Sequence, residues 1–373
     1  MTDQAALRSE VRAFLAEELA AGHFEPSCDS WLSGWDEDFT RRLAARGWLG
    51  MTVPVQYGGA GRPATDRYVV VEELLAAGAP VSAHWISDRQ VVPGLMRFGT
   101  EEQRREFLPR ICAGECYFAI GMSEPDAGSD LASLRTRAEK VPGGWRVHGT
   151  KVWTSGAHRA HAFIALVRTS PPDPEHRHAG LSQLIVDLRG PGVTIKPIIS
   201  MTGEHHFNEV LLDGAFVPDE MVVGTIGEGW RQVTAELSFE RSGPERFLST
   251  VPLLRAAVRR VAVTGCDDST RAALGRLVAR LAALRQMSLG VAAALDRGEE
   301  PAVQAALVKD AGTRFEHELA EVIRAQLGVT ADPEGDELER MLAESVLHAP
   351  GFTLRGGTNE VLRGVIARDL GVR

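Results

Sequence analysis

The apolar periodicity of this chain changes twice, and that pattern limits what it can fold into. Up to about residue 115 the spacing is helical: Leu7, Val11, Phe14 and Leu15 recur on one face, and Tyr68, Val71, Leu74 and Leu75 repeat it. From about 116, short extended runs punctuated by turn residues take over. After Gly224 the helical spacing returns and lasts to the end. The pattern predicts an α+β fold with an N-terminal α-helical domain over 1–115, a middle β-barrel or sandwich domain over 116–225 and a C-terminal antiparallel helix bundle over 226–373.

The punctuation sharpens this division. Thr100 followed by two acids predicts a helix start, and the glycines and prolines of 46–61 stop any helix there. In the middle block Pro142-Gly143 predicts a hairpin between 135–140 and 144–148. Further strands are expected at 151–155, 162–168, 181–188, 193–200 and 207–212. The loop Ser170–Ala179 reads as a solvated tip. In the last block one helix is expected over 229–241, a second carries Leu274, Leu277, Val278, Leu281 and Leu284 on one face, and a third starts near Pro301.

At 373 residues with 44% apolar content the chain can bury more than one core. Fifty acidic residues against 41 basic give a net charge of -9 without a basic block, which argues against nucleic acid as a partner. Met1–Glu10 lacks the charged-then-apolar order of a secretory signal, and no run reaches the ~18 apolar residues of a membrane span. A cytoplasmic protein with no membrane partner is therefore expected. Cys28, Cys112, Cys116 and Cys266 are scattered and read as reduced structural thiols, with no metal site expected.

One stretch stands out. Tyr117–Met122 is an apolar run that breaks into Ser123-Glu-Pro-Asp-Ala-Gly-Ser-Asp130, where a bent backbone presents N–H and hydroxyl donors. Three further words follow it in order: Gly149-Thr-Lys-Val-Trp-Thr-Ser155, Val217-Pro218 and Gly357-Thr-Asn-Glu360 with Arg363 and Ile366-Ala-Arg368 behind. Each is weak alone, but four in sequence across three blocks make a specific signal.

With these words in this order, nearly the whole chain resembles the acyl-CoA dehydrogenase superfamily of FAD enzymes. The resemblance implies an FAD cofactor and α,β-dehydrogenation of an acyl thioester, carried on CoA or an acyl-carrier protein. Met122 and Ser123 would lie against the flavin edge, Gly128 and Ser129 would approach cofactor and ligand, Trp153 would stack on or shield the flavin, and Ser155 would donate to it. Thr358 and Glu360 are implied as further cofactor contacts. Ser129, Arg241 and Gly356 are implied for substrate. An electron-transfer flavoprotein is the implied electron acceptor, and the implied assembly is a homodimer, a homotetramer or a heterotetramer with a related subunit.

The chemistry needs a carboxylate base whose pKa a dry site raises. In most of the family it stands just before the Gly-Thr of the C-terminal loop, where this chain has Gly356. Isovaleryl-type members carry it on the first helix of the bundle, and Phe239-Glu240-Arg241 stands at the matching place. Glu240 is accordingly the expected base, with Arg241 orienting the site because a guanidinium keeps its proton. Two family words serving a neighbouring subunit's FAD, Arg-x-x-Phe-Gly and Gln-x-x-Gly-Gly-x-Gly, are missing from the regions 265–275 and 326–335. Their absence opens one alternative, a non-catalytic or half-site subunit of a heteromeric dehydrogenase; a second keeps the fold but changes the reaction, to that of a flavin-dependent oxidase or monooxygenase. His205 and His206 are adjacent, face opposite ways on a strand and are expected at a surface or hinge rather than on a metal. His158 and His161 are expected in a turn.

Overall fold

The structure, a computed structural model, describes residues 3–241 and 243–372; the side chains of residues 236–241 lie outside the described residues. In chain order it opens with α1 (Gln4–Ala20), α2 (Ser30–Ser33), α3 (Glu37–Ala45), α4 (Ala64–Ala76), α5 (Ser82–Ile86), α6 (Val92–Phe98) and α7 (Glu101–Cys112). The strands are β1 (Phe118–Gly121), β2 (Arg137–Val141), β3 (Gly144–Lys151), β4 (Ala162–Arg168), β5 (Leu181–Asp187), β6 (Val193–Ile199), β7 (His205–Pro218) and β8 (Val222–Val223). The chain ends with α8 (Gly229–Arg241), α9 (Val251–Thr264), α10 (Asp268–Asp296), α11 (Ala302–Leu327), α12 (Glu337–Phe352) and α13 (Asn359–Asp369). The structure is α+β, helical at both ends with a mainly antiparallel sheet between.

Contacts divide the chain into two compact units: Thr40–Gly61 with Ala83–Leu237, and Met1–Phe39 with Arg62–Ser82 and Ser238–Arg373. The helical N-terminal segment thus contributes to both.

The first of these units is built on one sheet in the order β6-β7-β3-β2-β4-β5-β8, with β1 added parallel to β4. Val141 pairs with Gly144, so Pro142 and Gly143 form the expected two-residue hairpin, with Gly143 at φ 77° as such a turn requires. Val147, Ala165, Leu184, Val210 and Ala215, from four strands, share one interior. The alternate residues of β4 and its neighbours, Ile164 and Ile185, pack instead with Phe107, Leu108 and Ile111 of α7. Strand β4 is buried along its whole length for that reason, an apolar run rather than an alternating one.

Two differences from the sequence expectation concern the site. The run 151–155 is not a separate strand: β3 ends at Lys151 and the chain turns, because Trp153 adopts φ 59°. His206 is not a surface residue. It is 8% exposed and falls on the inward side of β7 with Asn208, Val210 and Leu212.

In the other unit α1 packs on α4, α4 on α10, α10 on α11, and α11 on α12 and α13. Phe315, Leu319 and Ile323 of α11 are fully buried. Helix α11 starts just after Pro301, which lacks the N–H a helix start would leave unused. Among the described residues α10 alone is long and apolar enough to cross a membrane by composition, with mean hydropathy 1.3 over a window that is 33% buried. It behaves as a bundle helix with one face packed on α4 and α11, leaving Val278 and Met287 exposed.

Candidate active site

The expected cofactor residues of the sheet unit meet in one place. Lys151, at the end of β3, is wholly buried and carries its ammonium to Glu124 Oε1 (2.9 Å) and Met122 O (3.1 Å). Glu124 also accepts from the backbone N–H of Arg135 (2.6 Å) and Thr136 (2.9 Å). A charge pair without water persists only when its remaining lone pairs are satisfied, and here they are. Burial opposes the Glu124 carboxylate, but the Lys151 ammonium and these donors outweigh it and hold its pKa below the usual value. Burial pushes Lys151 down, with Glu124 opposing.

This pair fastens the stretch 122–124 to the turn after β3. The N–H of Val152 donates to Ser123 O at 2.9 Å, and Glu124 and Ala127 exchange backbone hydrogen bonds that close the Pro125-Asp126 turn. Met122, Ser123 and Ser155 are half-buried there, while Gly128 and Ser129 stand exposed beyond the turn. A Cβ added at Gly128 would meet no protein atom within 4 Å, so packing does not demand glycine at that position.

Trp153 projects from the turn. Its indole is 58% exposed, held edge-on to Phe207 at 5.6 Å, and its left-handed backbone is shared by only one other non-glycine residue among those described, Asp29. A large exposed aromatic held on strained backbone is a candidate functional residue. Thr154 N donates to Asn208 O (3.0 Å) and Gly156 N to His206 O (2.8 Å), which ties the turn to β7. The buried Asn208 amide donates to Thr154 O at 3.0 Å and lies 3.2 Å from His158 Nδ1, while its Oδ1 is 2.7 Å from His205 Nε2. The His158 and His205 rings stack at 3.9 Å. Burial lowers the His158 pKa to about 4, with His205 and Arg159 reinforcing, and leaves Nδ1 free to accept. His158 is in a turn as expected. No group of three or more His, Cys, Asp or Glu able to hold a metal occurs among the described residues.

In the helical unit the C-terminal loop lies between α12 and α13. Gly356 and Gly357 both have left-handed backbone, φ 70° and 85°. Thr358 caps α13, accepting from Val361 N at 3.3 Å, and Glu360 is exposed in its first turn. Arg355 makes a two-pronged pair with Asp29, 2.6 Å on each side, beneath the ring of Trp31 at 4.3 Å. His348 adds Nδ1 at 3.2 Å to the same carboxylate. Burial works against the Asp29 carboxylate, yet Arg355 and His348 hold its pKa far below the ordinary value. Lys309 in α11 reaches the same loop from beneath. The backbone of Glu240 and Arg241 belongs to α8, and their side chains lie outside the described residues.

Several of these residues were not singled out from sequence. Glu124 and Lys151 stand inside the two words already read, where a charged residue conserving no visible period gives no sign of burial. Asn359, whose Oδ1 accepts from Lys309 at 2.7 Å, stands inside the fourth word, and its signal was the Thr358 cap directly before it.

Comparison with known proteins identifies the family. Three family models match in order: the acyl-CoA dehydrogenase N-terminal domain at residues 1–115, the middle domain at 119–214 and the C-terminal domain at 227–371. The chain is 36% identical over 396 residues to the acyl-CoA dehydrogenase IpdE1 of Mycobacterium tuberculosis, covering 100% of this chain and 98% of that protein. It is 32% identical to the acyl-CoA dehydrogenase FadE34 of the same organism over 99% of its own length, and spans about half, 49%, of that relative. Among solved structures, the Tcur3481-Tcur3483 steroid ACAD superposes with a TM-score of 0.88 at 30% identity, covering 99% and 97% of the two chains. The ChsE4-ChsE5 complex from Mycobacterium tuberculosis gives 0.84 at 31% identity, covering 100% and 98%. With its three segments matched in order and a relative of 36% identity covered almost end to end, the chain belongs to the acyl-CoA dehydrogenase family.

Proposed function

We propose that this chain catalyses FAD-dependent α,β-dehydrogenation of an acyl thioester to its 2-enoyl thioester, using the segments 1–115, 116–225 and 226–373 as its functional divisions. The observation that carries the reading is the Trp153 turn: an exposed indole on left-handed backbone, fastened from beneath by the buried Lys151–Glu124 pair. The residues around it fit an isoalloxazine. Trp153 offers an aromatic face, Met122, Ser123 and Ser155 offer half-buried donors, Gly128 and Ser129 leave open approach, and the buried Thr154 Oγ1 has no partner among the described residues. FAD, when bound, supplies the acceptor for the hydride that leaves the β-carbon. Thr358 and Glu360 are assigned to the cofactor as well.

Glu240 takes the proton from the α-carbon, since Gly356 offers no carboxylate. Arg241 orients the site, and Ser129 and Gly356 border the substrate. Likeness to the Tcur3481-Tcur3483 steroid ACAD supports an acyl chain attached to a fused-ring body, carried on CoA or a carrier protein. An electron-transfer flavoprotein reoxidises the cofactor, and the enzyme works in the cytoplasm.

We propose in addition that the chain assembles with copies of itself or with a related subunit. The exposed apolar residues Val278 and Met287 on α10 support an assembly surface. The two missing interface words and the likeness to the ChsE4-ChsE5 complex favour a related subunit over a second copy. Purified protein should carry flavin and bleach anaerobically with a ring-bearing acyl-CoA. A colourless chain that gains flavin and activity only with a sister chain identifies the half-site form. Failure to reduce flavin in either form, with any acyl thioester, removes the dehydrogenase reading.

A further inference from the structure

Lys309 lies in the middle of α11 with its side chain fully buried. Its ammonium donates to Thr353 O at 3.1 Å, Gly357 O at 2.8 Å and Asn359 Oδ1 at 2.7 Å. These three acceptors bracket the α12–α13 loop: the residue that ends α12, the second of the two left-handed glycines, and the first residue of α13. The loop also closes on itself, since Asn359 N donates to Thr353 O at 3.2 Å. Thr313, one turn along α11, accepts from Asn359 Nδ2 at 3.2 Å and donates to Lys309 O at 2.9 Å.

Two features separate this arrangement from ordinary packing. Burying an ammonium is costly unless its donors are all used, and an apolar side chain of similar volume would fill the space at less cost. Paired glycines, in turn, have the widest conformational freedom of any residues and cannot hold one loop shape by themselves. The shape of 356–357 has to be imposed by groups outside it, and Lys309 supplies a cation that its carbonyls can face.

We propose that Lys309 is a positioning residue for the dehydrogenation: residues 353–359 wrap its ammonium as they would a bound cation, and this sets where Gly356, Thr358 and Glu360 stand. The inference rests on the reading above that this loop borders substrate and cofactor. Lys309 touches neither of them, and it acts through the loop.

The test uses the full-length holoenzyme as Lys309→Met, which keeps the volume, and Lys309→Ala, which leaves a hole lined by the three oxygens. Hydrogen exchange should show protection lost by roughly tenfold to a hundredfold in residues 353–360 of Lys309→Met, with α11 and α12 little changed. The KM for the acyl thioester should rise about tenfold, more than kcat falls, because bound substrate recovers part of the lost order. In Lys309→Ala, methylammonium should restore protection and KM, whereas tetramethylammonium, with no N–H to donate, should not. Unchanged protection over 353–360 in Lys309→Met overturns the proposal. So does a loss spread evenly through α11 and α12, or equal rescue by both cations. The exchange result is independent of turnover: if the wild-type protein oxidises no thioester yet methylammonium restores the loop in Lys309→Ala, the dehydrogenase reading fails and the clamp stands.

Discussion

The Lys151 ammonium sits 2.9 Å from Glu124 Oε1 in a place from which water is excluded, directly beneath the turn that carries Trp153. Removing one member of such a pair leaves an uncompensated charge. Lys151→Met should therefore cost about 3–5 kcal/mol of stability, and flavin content should fall with it. Denaturant unfolding of variant and parent measures this, and an unchanged midpoint would show that the pair does not hold the turn.

Glu240 is the proposed base. Glu240→Gln should leave the flavin bound and its spectrum intact while the rate of anaerobic reduction by an acyl thioester falls by roughly a hundredfold to ten-thousandfold. Stopped-flow bleaching reads it directly. Reduction at the parent rate assigns the proton to another group.

Gly356 is the place where most of the family has its carboxylate, and its backbone is left-handed at φ 70°. Restoring the side chain is thus not neutral: Gly356→Glu should lose about 1–3 kcal/mol from strain alone. For the same reason it should not rescue Glu240→Gln. Recovery of flavin reduction in the double variant would be the contrary result.

Glu316 is wholly buried, with Ser249 N donating to it at 2.9 Å. Burial raises its pKa to about 7, Arg355 working against the rise and Asp29 with it. The folded chain therefore holds this proton more tightly than the unfolded one, whose glutamates titrate near 4.5. Its contribution to stability is full below that value and is lost as the pH rises toward 7. Glu316→Gln keeps an acceptor for Ser249 N and cannot ionise. The fall in Tm between pH 5 and pH 8 should consequently be smaller in the variant than in the parent, as thermal unfolding at the two pH values will show.

The order helix, strand, helix was legible because burial repeats with the period of each element, and β4 could be located because both its faces are covered. The words around Ser123 and Trp153 were legible as a candidate site from the residue types they contain. What escaped was what holds those words in place. Glu124, Lys151 and Lys309 are charged, and a charged residue in a sequence is presumed solvated until its partner is known; here the partners lie 27 residues away for the first pair and 44 to 50 away for Lys309. Trp153 looked like a strand residue since φ leaves no trace in hydrophobic spacing. The interleaving of N-terminal helices between two compact units was likewise invisible, because it is a matter of which distant segments touch.

The exposed indole of Trp153 also makes the protein its own optical probe. Trp31, Trp48, Trp85 and Trp145 are buried and Trp35 and Trp230 only half-exposed, so an added aqueous quencher reaches Trp153 before it reaches any of them. A cofactor seated against Trp153 would shield that ring and quench it at once, and the emission lost on adding FAD to stripped protein would report occupancy of this site independently of turnover.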